Sequence, residues 1–219
     1  MPRLLFEKTG NAVWISHLDL MRLFQRAFKR GGLPLTHTQG FNPRPSVSIA
    51  LPLSVGASSH CEFLDFNLVD GNVSHEEICS RLNRSLVDGD HVLQVYDGGR
   101  KIGDIALLQC QVTLGYDSPV TDGAVEELQT LFGRNELILP KKTKNGIQQE
   151  NIIPMIQSLS VSRQDEKHVL LDAVICCQNP TLNPVQLSAA IETFLPDIKP
   201  DSTQVTRLEI YDKKMNVFR

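Results

Sequence analysis

Basic side chains are concentrated in the first fifty residues of this chain. Met1–Ala50 holds seven Lys and Arg residues against two acidic residues, a net charge of +5. The whole chain carries −3, so the remainder carries −8. A basic segment attached to an acidic body indicates a polyanionic partner, and nucleic acid is the partner that this asymmetry most often serves.

Part of this charge falls on a predicted helix that runs from His17 to about Arg30. Ser16 is a typical N-cap, and Asp19 takes the acidic position of a capping box. Apolar residues at helical spacing predict the buried face: Leu20, Met21, Phe24, Ala27 and Phe28. The other side carries four cations: Arg22, Arg26, Lys29 and Arg30. They could bind phosphates, or form a solvated face whose last two cations complement the negative helix end.

A Gly-Phe-Asn-Pro-Arg-Pro loop follows this helix and offers chemistry of its own. Gly40 allows close approach of the backbone to a ligand, and the prolines on either side of Arg44 stiffen the segment. Arg44 can grip a phosphate through two hydrogen bonds. Phe41 and the single Trp14 offer stacking faces for unpaired bases, although a loop Phe can also serve as a core plug.

Two histidines accompany this basic segment, and neither has a neighbour that fixes its role. His17 stands at the first helical position and His37 precedes the loop. His17 could contact phosphate, act as a general acid or base, or bond a backbone carbonyl, and His37 adds to the basic face and is a second candidate acid or base. The five cysteines are scattered, and none has metal-ligand spacing, so we expect reduced thiols and no metal site. No phosphate-binding or dinucleotide motif occurs, and we expect no cofactor.

The order of predicted elements indicates the fold class. The first half shows strands and helices in the order βαββαβ: Arg3–Lys8 continued by Val13–Ile15, the helix from His17, the pair Leu35–Thr38 and Val47–Leu51 that flanks the Gly/Pro loop, Cys61–Val69, a helix capped by Ser74, and Val92–Tyr96. The second half repeats that order: Ile105–Leu114, Gly123–Phe132, Leu137–Leu139, Val169–Cys177, Pro184–Leu195 and Val205–Tyr211. Lys141–Ile153 is predicted to be an exposed irregular loop.

These patterns together predict an α+β protein of two tandem, duplicated ferredoxin-like units with antiparallel sheets. The glycine-rich stretch Asp97–Asp104 is the predicted joint, which gives domains at 1–98 and 104–219. The chain contains no run of eighteen apolar residues, and its first residues lack the apolar core of a signal peptide. We therefore expect a cytoplasmic protein without a membrane segment.

Several motifs of the first half, taken in order, resemble a known family. FEKTG, SHLDLMR, GLPL, QGFNPRP, ALPL and EFLDF, between Leu4 and Phe66, are similar to uncharacterised radical SAM-associated proteins. Members of that family occur beside, or fused to, B12-binding radical SAM proteins, and the resemblance implies such a partner. The second half departs from the family pattern at KKTKNGIQQENIIP and at Asn183-Pro184. The duplicated layout also resembles, at fold level, the endoribonucleases that process CRISPR transcripts.

The sequence thus favours a non-catalytic RNA-binding module that presents tRNA or rRNA to a radical SAM enzyme. Ten residues are predicted to form its RNA site: Lys8, His17, Arg22, Arg26, Lys29, Arg30, Gly40, Phe41, Asn42 and Arg44. One alternative is a metal-independent endoribonuclease in which His17 or His37 moves the proton of a 2′-hydroxyl. The other is a protein-interaction domain that docks the radical SAM enzyme.

Overall fold

The computed structural model describes residues 1–143 and 146–219. These residues form two compact units: Met1–Ile102 with Arg219, called unit 1, and Gly103–Phe218, called unit 2. The predicted α+β class is confirmed, with four helices in the described part of the chain and antiparallel strand pairing within each unit. No helix of the described residues is both long and apolar enough to span a bilayer.

Unit 1 has the βαββαβ order. Its elements are β1 (Arg3–Lys8), α1 (His17–Arg30), β2 (Val47–Ala50), β3 (Ser58–Phe66), α2 (His75–Asn83) and β4 (Asp90–Tyr96). The strands lie in the order β4-β1-β3-β2 and every neighbouring pair is antiparallel. This arrangement is ferredoxin-like, because each helix connects two strands that have a third strand between them: α1 connects β1 with β2 across β3, and α2 connects β3 with β4 across β1.

Both helices of unit 1 pack on the same side of this sheet. Alternate residues of β1 and β3, such as Leu4, Phe6 and Leu64, form one core with the apolar stripe of α1. The rings of Phe6 and Phe24 meet edge to face with centroids 4.7 Å apart. Residues two apart on a strand share a face, so the alternation of the sequence decides which side the helices cover.

Two predicted extended segments of unit 1 are wrong. Val13–Ile15 does not continue β1, because Gly10–Trp14 forms a 3-10 turn. Gly10 has a φ of +52°, a backbone conformation that glycine adopts without strain, and it turns the chain away from the sheet. Leu35–Thr38 is not a strand of the sheet either, since it makes only the isolated bridges Leu35 to Leu68 and His37 to Pro45.

Unit 2 has the same order with an added hairpin. Its elements are β5 (Leu107–Gly115), α3 (Ala124–Phe132), β6 (Ile138–Thr143), β7 (Gly146–Asn151), β8 (Ile156–Arg163), β9 (His168–Cys176), α4 (Val185–Phe194) and β10 (Ser202–Tyr211). The sheet runs β10-β5-β9-β8, and β6 pairs with β7 in a separate two-stranded sheet. Whether the two units arose by duplication stays a prediction.

The polar segment Lys141–Ile153 is not the irregular loop that its composition predicts. Apart from residues 144–145, which lie outside the described residues, most of it belongs to β6 and β7. Lys141 forms an ion pair with Glu150, with 2.8 Å between Nζ and Oε2, across the two strands. Cross-strand charge pairs of this kind let a polar sequence form a stable hairpin.

Candidate nucleic-acid interface

Helix α1 begins and ends where its sequence predicts. The Ser16 hydroxyl accepts a hydrogen bond from the Asp19 backbone N–H at 3.2 Å and donates to the Asp19 carboxylate at 2.8 Å. Arg22 also pairs with that carboxylate, with 2.9 Å between the two atoms. Hydrogen bonds from Ser16 and Arg22 lower the pKa of Asp19 below its usual value. The cap therefore fixes the first turn of the helix that carries the cations.

Four cations extend from α1 into solvent, and we call these side chains, Arg22, Arg26, Lys29 and Arg30, the α1 basic face. They differ in what they already bind. Arg22 is paired with Asp19, and Arg30 donates to the Ser85 carbonyl beyond the end of α2. Among the described residues, Arg26 and Lys29 have no hydrogen-bond or ion-pair partner. A carbonyl has no net charge, so its hydrogen bond does not neutralise Arg30. Arg26, Lys29 and Arg30 therefore keep their full charge toward solvent.

Lys8, a predicted phosphate contact, lies in the interior. Its side chain is 1% exposed, and Nζ donates to the carbonyls of Val13 at 3.2 Å and Ile15 at 2.9 Å. Burial lowers the pKa of Lys8, although Asp90 and Glu62 oppose that effect. Lys8 thus holds the connection between β1 and α1, and it is not part of the solvent-facing surface.

The loop that follows α1 is a narrow hairpin-like structure. Thr38 N–H donates to the Arg44 carbonyl at 2.8 Å, and Arg44 N–H donates to the Thr38 hydroxyl at 3.0 Å. Ser46 N–H donates to the Thr36 carbonyl at 2.7 Å, which closes the stem. We call residues 36–46 the basic loop. Its tip, residues 39–43, is exposed throughout and includes the predicted site residues Gly40, Phe41 and Asn42.

Gly40 is required at this tip by its backbone conformation. Its φ is +136°, a region that residues with a Cβ rarely adopt, although no neighbouring atom would obstruct a Cβ. The next residue, Phe41, is fully exposed, and its ring covers no core. The core-plug interpretation of Phe41 therefore fails. An aromatic ring exposed to solvent, on the same loop as Arg44, is an available stacking surface.

A groove lies between α1 and the stem of the basic loop. Its volume is about 440 Å³, and its lining includes Gln25, Phe28, Lys29, Leu33, Leu35, His37 and Pro45. Buried apolar side chains form its floor, and polar side chains stand at its rim. Lys29 and His37 are candidates of the sequence analysis, whereas Gln25 is not. Its spacing of four residues from Lys29, on one side of α1, was the available signal.

His17 and His37 are not gathered into one site. His37 lines the groove, whereas His17 begins α1 and, within the described residues, is not among the side chains that line it. Neither imidazole has a hydrogen-bond partner in the described part of the chain. The structure thus assigns His37, and not His17, to the surface that the groove forms.

The cysteines and acidic residues offer no metal centre in the described residues. None of the five cysteines forms a disulfide, and no group of three or more His, Cys, Asp or Glu side chains in the described residues has a geometry that could hold a metal ion. Burial raises the pKa of Cys110 to about 12 and that of Cys177 to about 11. These two thiols are therefore protonated at neutral pH and serve as core residues.

A buried charged cluster also lies in unit 1. Asp90 is 4% exposed and Glu62 is fully buried, and both lie on the same face of the sheet as Lys8. Burial raises the pKa of Asp90 to about 7; Lys8 opposes this rise and Glu62 adds to it. Lys8 shares its side of β1 with Leu4 and Phe6, so the alternation of the sequence already indicated an interior lysine.

Comparison with known proteins gives the family. Residues 2–184 match the family model described as "Uncharacterized protein conserved in bacteria (DUF2344)". The chain belongs to this family. The matched residues include all of α1, the basic loop and the groove. A search of curated proteins finds no match.

Solved structures similar to this DUF2344 protein show only the fold. A chain in the crystal structure of a Cbf5-Nop10-Gar1 complex superposes with a TM-score of 0.56 and 6% identity over 95% of this chain. This chain spans 48%, about half, of that chain's length. An unknown protein from Galdieria sulphuraria aligns at 11% identity over 94% of this chain and 96% of its own, with a TM-score of 0.26 that carries no structural argument.

Proposed function

We propose that this protein is a cytoplasmic, non-catalytic RNA-binding module. Its interface consists of the α1 basic face and the basic loop, and it presents tRNA or rRNA to a B12-binding radical SAM enzyme. The observation that carries the proposal is the groove between α1 and the basic loop, which Lys29 lines from α1 and His37 lines from the loop. Arg44 and Phe41 are exposed residues of the same loop, outside the lining of the groove.

The charges of this surface suit a flexible phosphate backbone. Arg26, Lys29 and Arg44 are exposed, and within the described residues their side chains have no ion-pair partner, so an RNA phosphate would not have to displace a carboxylate. Only the bond between Arg22 and Asp19 would compete, and it is an exposed pair of small energetic value. Of the ten predicted contact residues, we exclude Lys8 from the interface because it is buried.

The radical SAM part of the proposal rests on the sequence resemblance between Leu4 and Phe66. Co-purification tests it: the tagged full chain is expressed with the radical SAM protein of the neighbouring gene, in the presence and absence of ribonuclease. Recovery of both proteins in a stable complex supports the partner. Absence of a radical SAM gene nearby would contradict this partner. Where such a gene is present, failure of its product to co-purify would contradict it as well.

Salt-dependent binding tests the RNA part. Fluorescence anisotropy measures the affinity of the full chain for bulk tRNA and for an rRNA fragment between 50 and 200 mM salt, and a DNA duplex with as many phosphates is the control. Contact with about four phosphates predicts a slope of roughly −3 to −4 in the logarithm of the association constant against log salt. RNA should bind more tightly than the duplex. No RNA binding at low salt would contradict the proposal and favour the protein-docking alternative.

A further inference from the structure

The groove between α1 and the basic loop has the dimensions and the lining of a small-ligand site. Its volume of about 440 Å³ lies within the range of pockets that hold small molecules. The floor is apolar and comes from Phe28, Leu33 and Leu35, which are nearly or fully buried, and from Pro34, which is exposed and supplies accessible apolar surface. Burying a flat apolar surface on such a floor is favourable, whereas the floor offers no hydrogen bonds to a fully hydrated group.

Three polar side chains stand at the rim of this floor. Lys29 offers a cation, Gln25 offers an amide that both donates and accepts, and His37 offers an imidazole. Within the described residues, none of the three side chains has a hydrogen-bond or ion-pair partner. Their hydrogen-bonding capacity is therefore available to a ligand, unlike that of Arg22 and Arg30, which already bind other groups.

An unstacked nucleotide combines the properties that floor and rim require. Its base has an apolar face and a polar edge, and its phosphate carries negative charge. The base face would lie on the floor, the amide of Gln25 would bond the base edge, and Lys29 would contact the phosphate. In a duplex the faces are stacked and the pairing edges are occupied, so a paired nucleotide cannot enter.

We propose that this groove is a binding pocket for one unstacked nucleotide of RNA, and that the protein thereby selects loops, bulges or single strands over duplex. The inference rests on the proposed RNA-binding function and specifies its substrate class. Phe41, exposed on the same loop, provides a stacking surface for a second unpaired base.

Binding to three RNAs with the same number of phosphates tests this proposal: a hairpin with a seven-nucleotide loop, an unstructured strand and a blunt duplex. At fixed salt the wild-type chain should bind the hairpin loop and the strand about tenfold more tightly than the duplex, as expected for one or two stacked bases. Gln25→Leu keeps the size and charge of the side chain but removes its hydrogen bonds. It should reduce this preference to less than about threefold, without changing the salt slope.

Gln94→Leu is the matched control, because Gln94 is an exposed glutamine of unit 1 on strand β4, outside the groove. It should retain the wild-type preference, and thermal unfolding should be the same for both variants. Equal affinity for duplex and unpaired RNA, or an unchanged preference in Gln25→Leu, would overturn the nucleotide pocket while the RNA-binding function remains. Failure of all three RNAs to bind would overturn both.

Discussion

Helices α1 and α3 each follow the first strand of their unit. Their solvent-facing surfaces are nevertheless opposite in charge. α1 has fourteen residues and ends with Lys29 and Arg30. α3 has nine residues, carries Glu126 and Glu127 in its first turn, and has no basic residue in its last turn. The fold therefore determines where a helix lies, and the solvent-facing residues, which the core does not constrain, determine what that helix can bind.

The segments that follow the two helices differ in the same sense. After α1 comes the basic loop, with Arg44 and the fully exposed Phe41. After α3 comes the β6–β7 hairpin, in which Lys141 is already paired with Glu150. Unit 1 exposes cations and an aromatic ring that a partner could contact. In unit 2, at least one cation, Lys141, is already neutralised by an ion pair within the unit. The proposed polyanion binding belongs to unit 1, and paired substitutions in the two units test it.

Charge reversal in unit 1 should have the largest effect. The triple variant Arg26→Glu, Lys29→Glu and Arg44→Glu should lose roughly a hundredfold in tRNA affinity at physiological salt, because it replaces three phosphate contacts with repulsion. The control triple, Arg84→Glu, Lys213→Glu and Lys214→Glu, makes the same change in net charge at exposed cations elsewhere. Anisotropy should show less than about threefold loss for the control. Equal losses would mean that net charge, and not this surface, governs binding.

A second pair of substitutions compares one exposed apolar residue from each unit. Phe41→Ala should weaken the binding of unpaired RNA about tenfold, the value of one stacked base, and should leave the melting temperature unchanged because Phe41 covers no core. Ile147 is 73% exposed in the hairpin of unit 2, and Ile147→Ala should change neither property. A fall in melting temperature for Phe41→Ala would show that its ring packs against the protein after all.

The buried charges of unit 1 predict a pH-dependent stability. The pKa of Asp90 rises from 3.8 to about 7 on folding, so the folded state takes up a proton between pH 4 and 7 that the unfolded state does not. The unfolding free energy should therefore fall as pH rises through this window, by at most about 1.4 kcal/mol per pH unit. Asp90→Asn should lack this component, and its stability relative to wild type should improve from pH 5 to pH 8. Urea unfolding measures both, and a difference independent of pH would contradict the burial of a titrating carboxyl.

Cations added to α3 should have the smallest effect. Glu126→Lys with Glu127→Lys gives unit 2 a basic helix but no counterpart of the basic loop. We expect less than about a threefold gain in RNA affinity, because screened surface charge attracts without positioning the ligand. A gain of tenfold or more, measured by anisotropy at physiological salt, would mean that a basic helix suffices and the groove is unnecessary.

Local signals predicted much of unit 1. The Ser16 cap, the apolar stripe and the two glycines after Arg30 determine α1 at both ends, and the structure has the predicted bounds. The exposed position of Arg26 follows from the same periodicity. The pairing of Arg30 with Ser85 could not be predicted, because it depends on how α2 packs beside α1 and joins residues 55 positions apart.

The errors in unit 2 have a different cause. Strand β8 (Ile156–Arg163) was missed because three of its eight residues are serines and most are exposed, which weakens the alternation. The polar composition of the β6 and β7 segment predicts an irregular loop, although the dipeptide Asn145-Gly146 in the sequence between them is a typical hairpin signal. The groove was beyond prediction because its walls come from residues up to twenty positions apart.

Ultraviolet cross-linking of the full chain to tRNA, with the attached peptides identified by mass spectrometry, tests the central claim most directly. If RNA binds to the α1 basic face and the basic loop, adducts should concentrate on residues 25–45, with Phe41 as the main site, and the Arg26, Lys29 and Arg44 triple variant should lose them. Adducts concentrated on residues 124–151 of unit 2, or an unchanged pattern in the triple variant, would contradict the account.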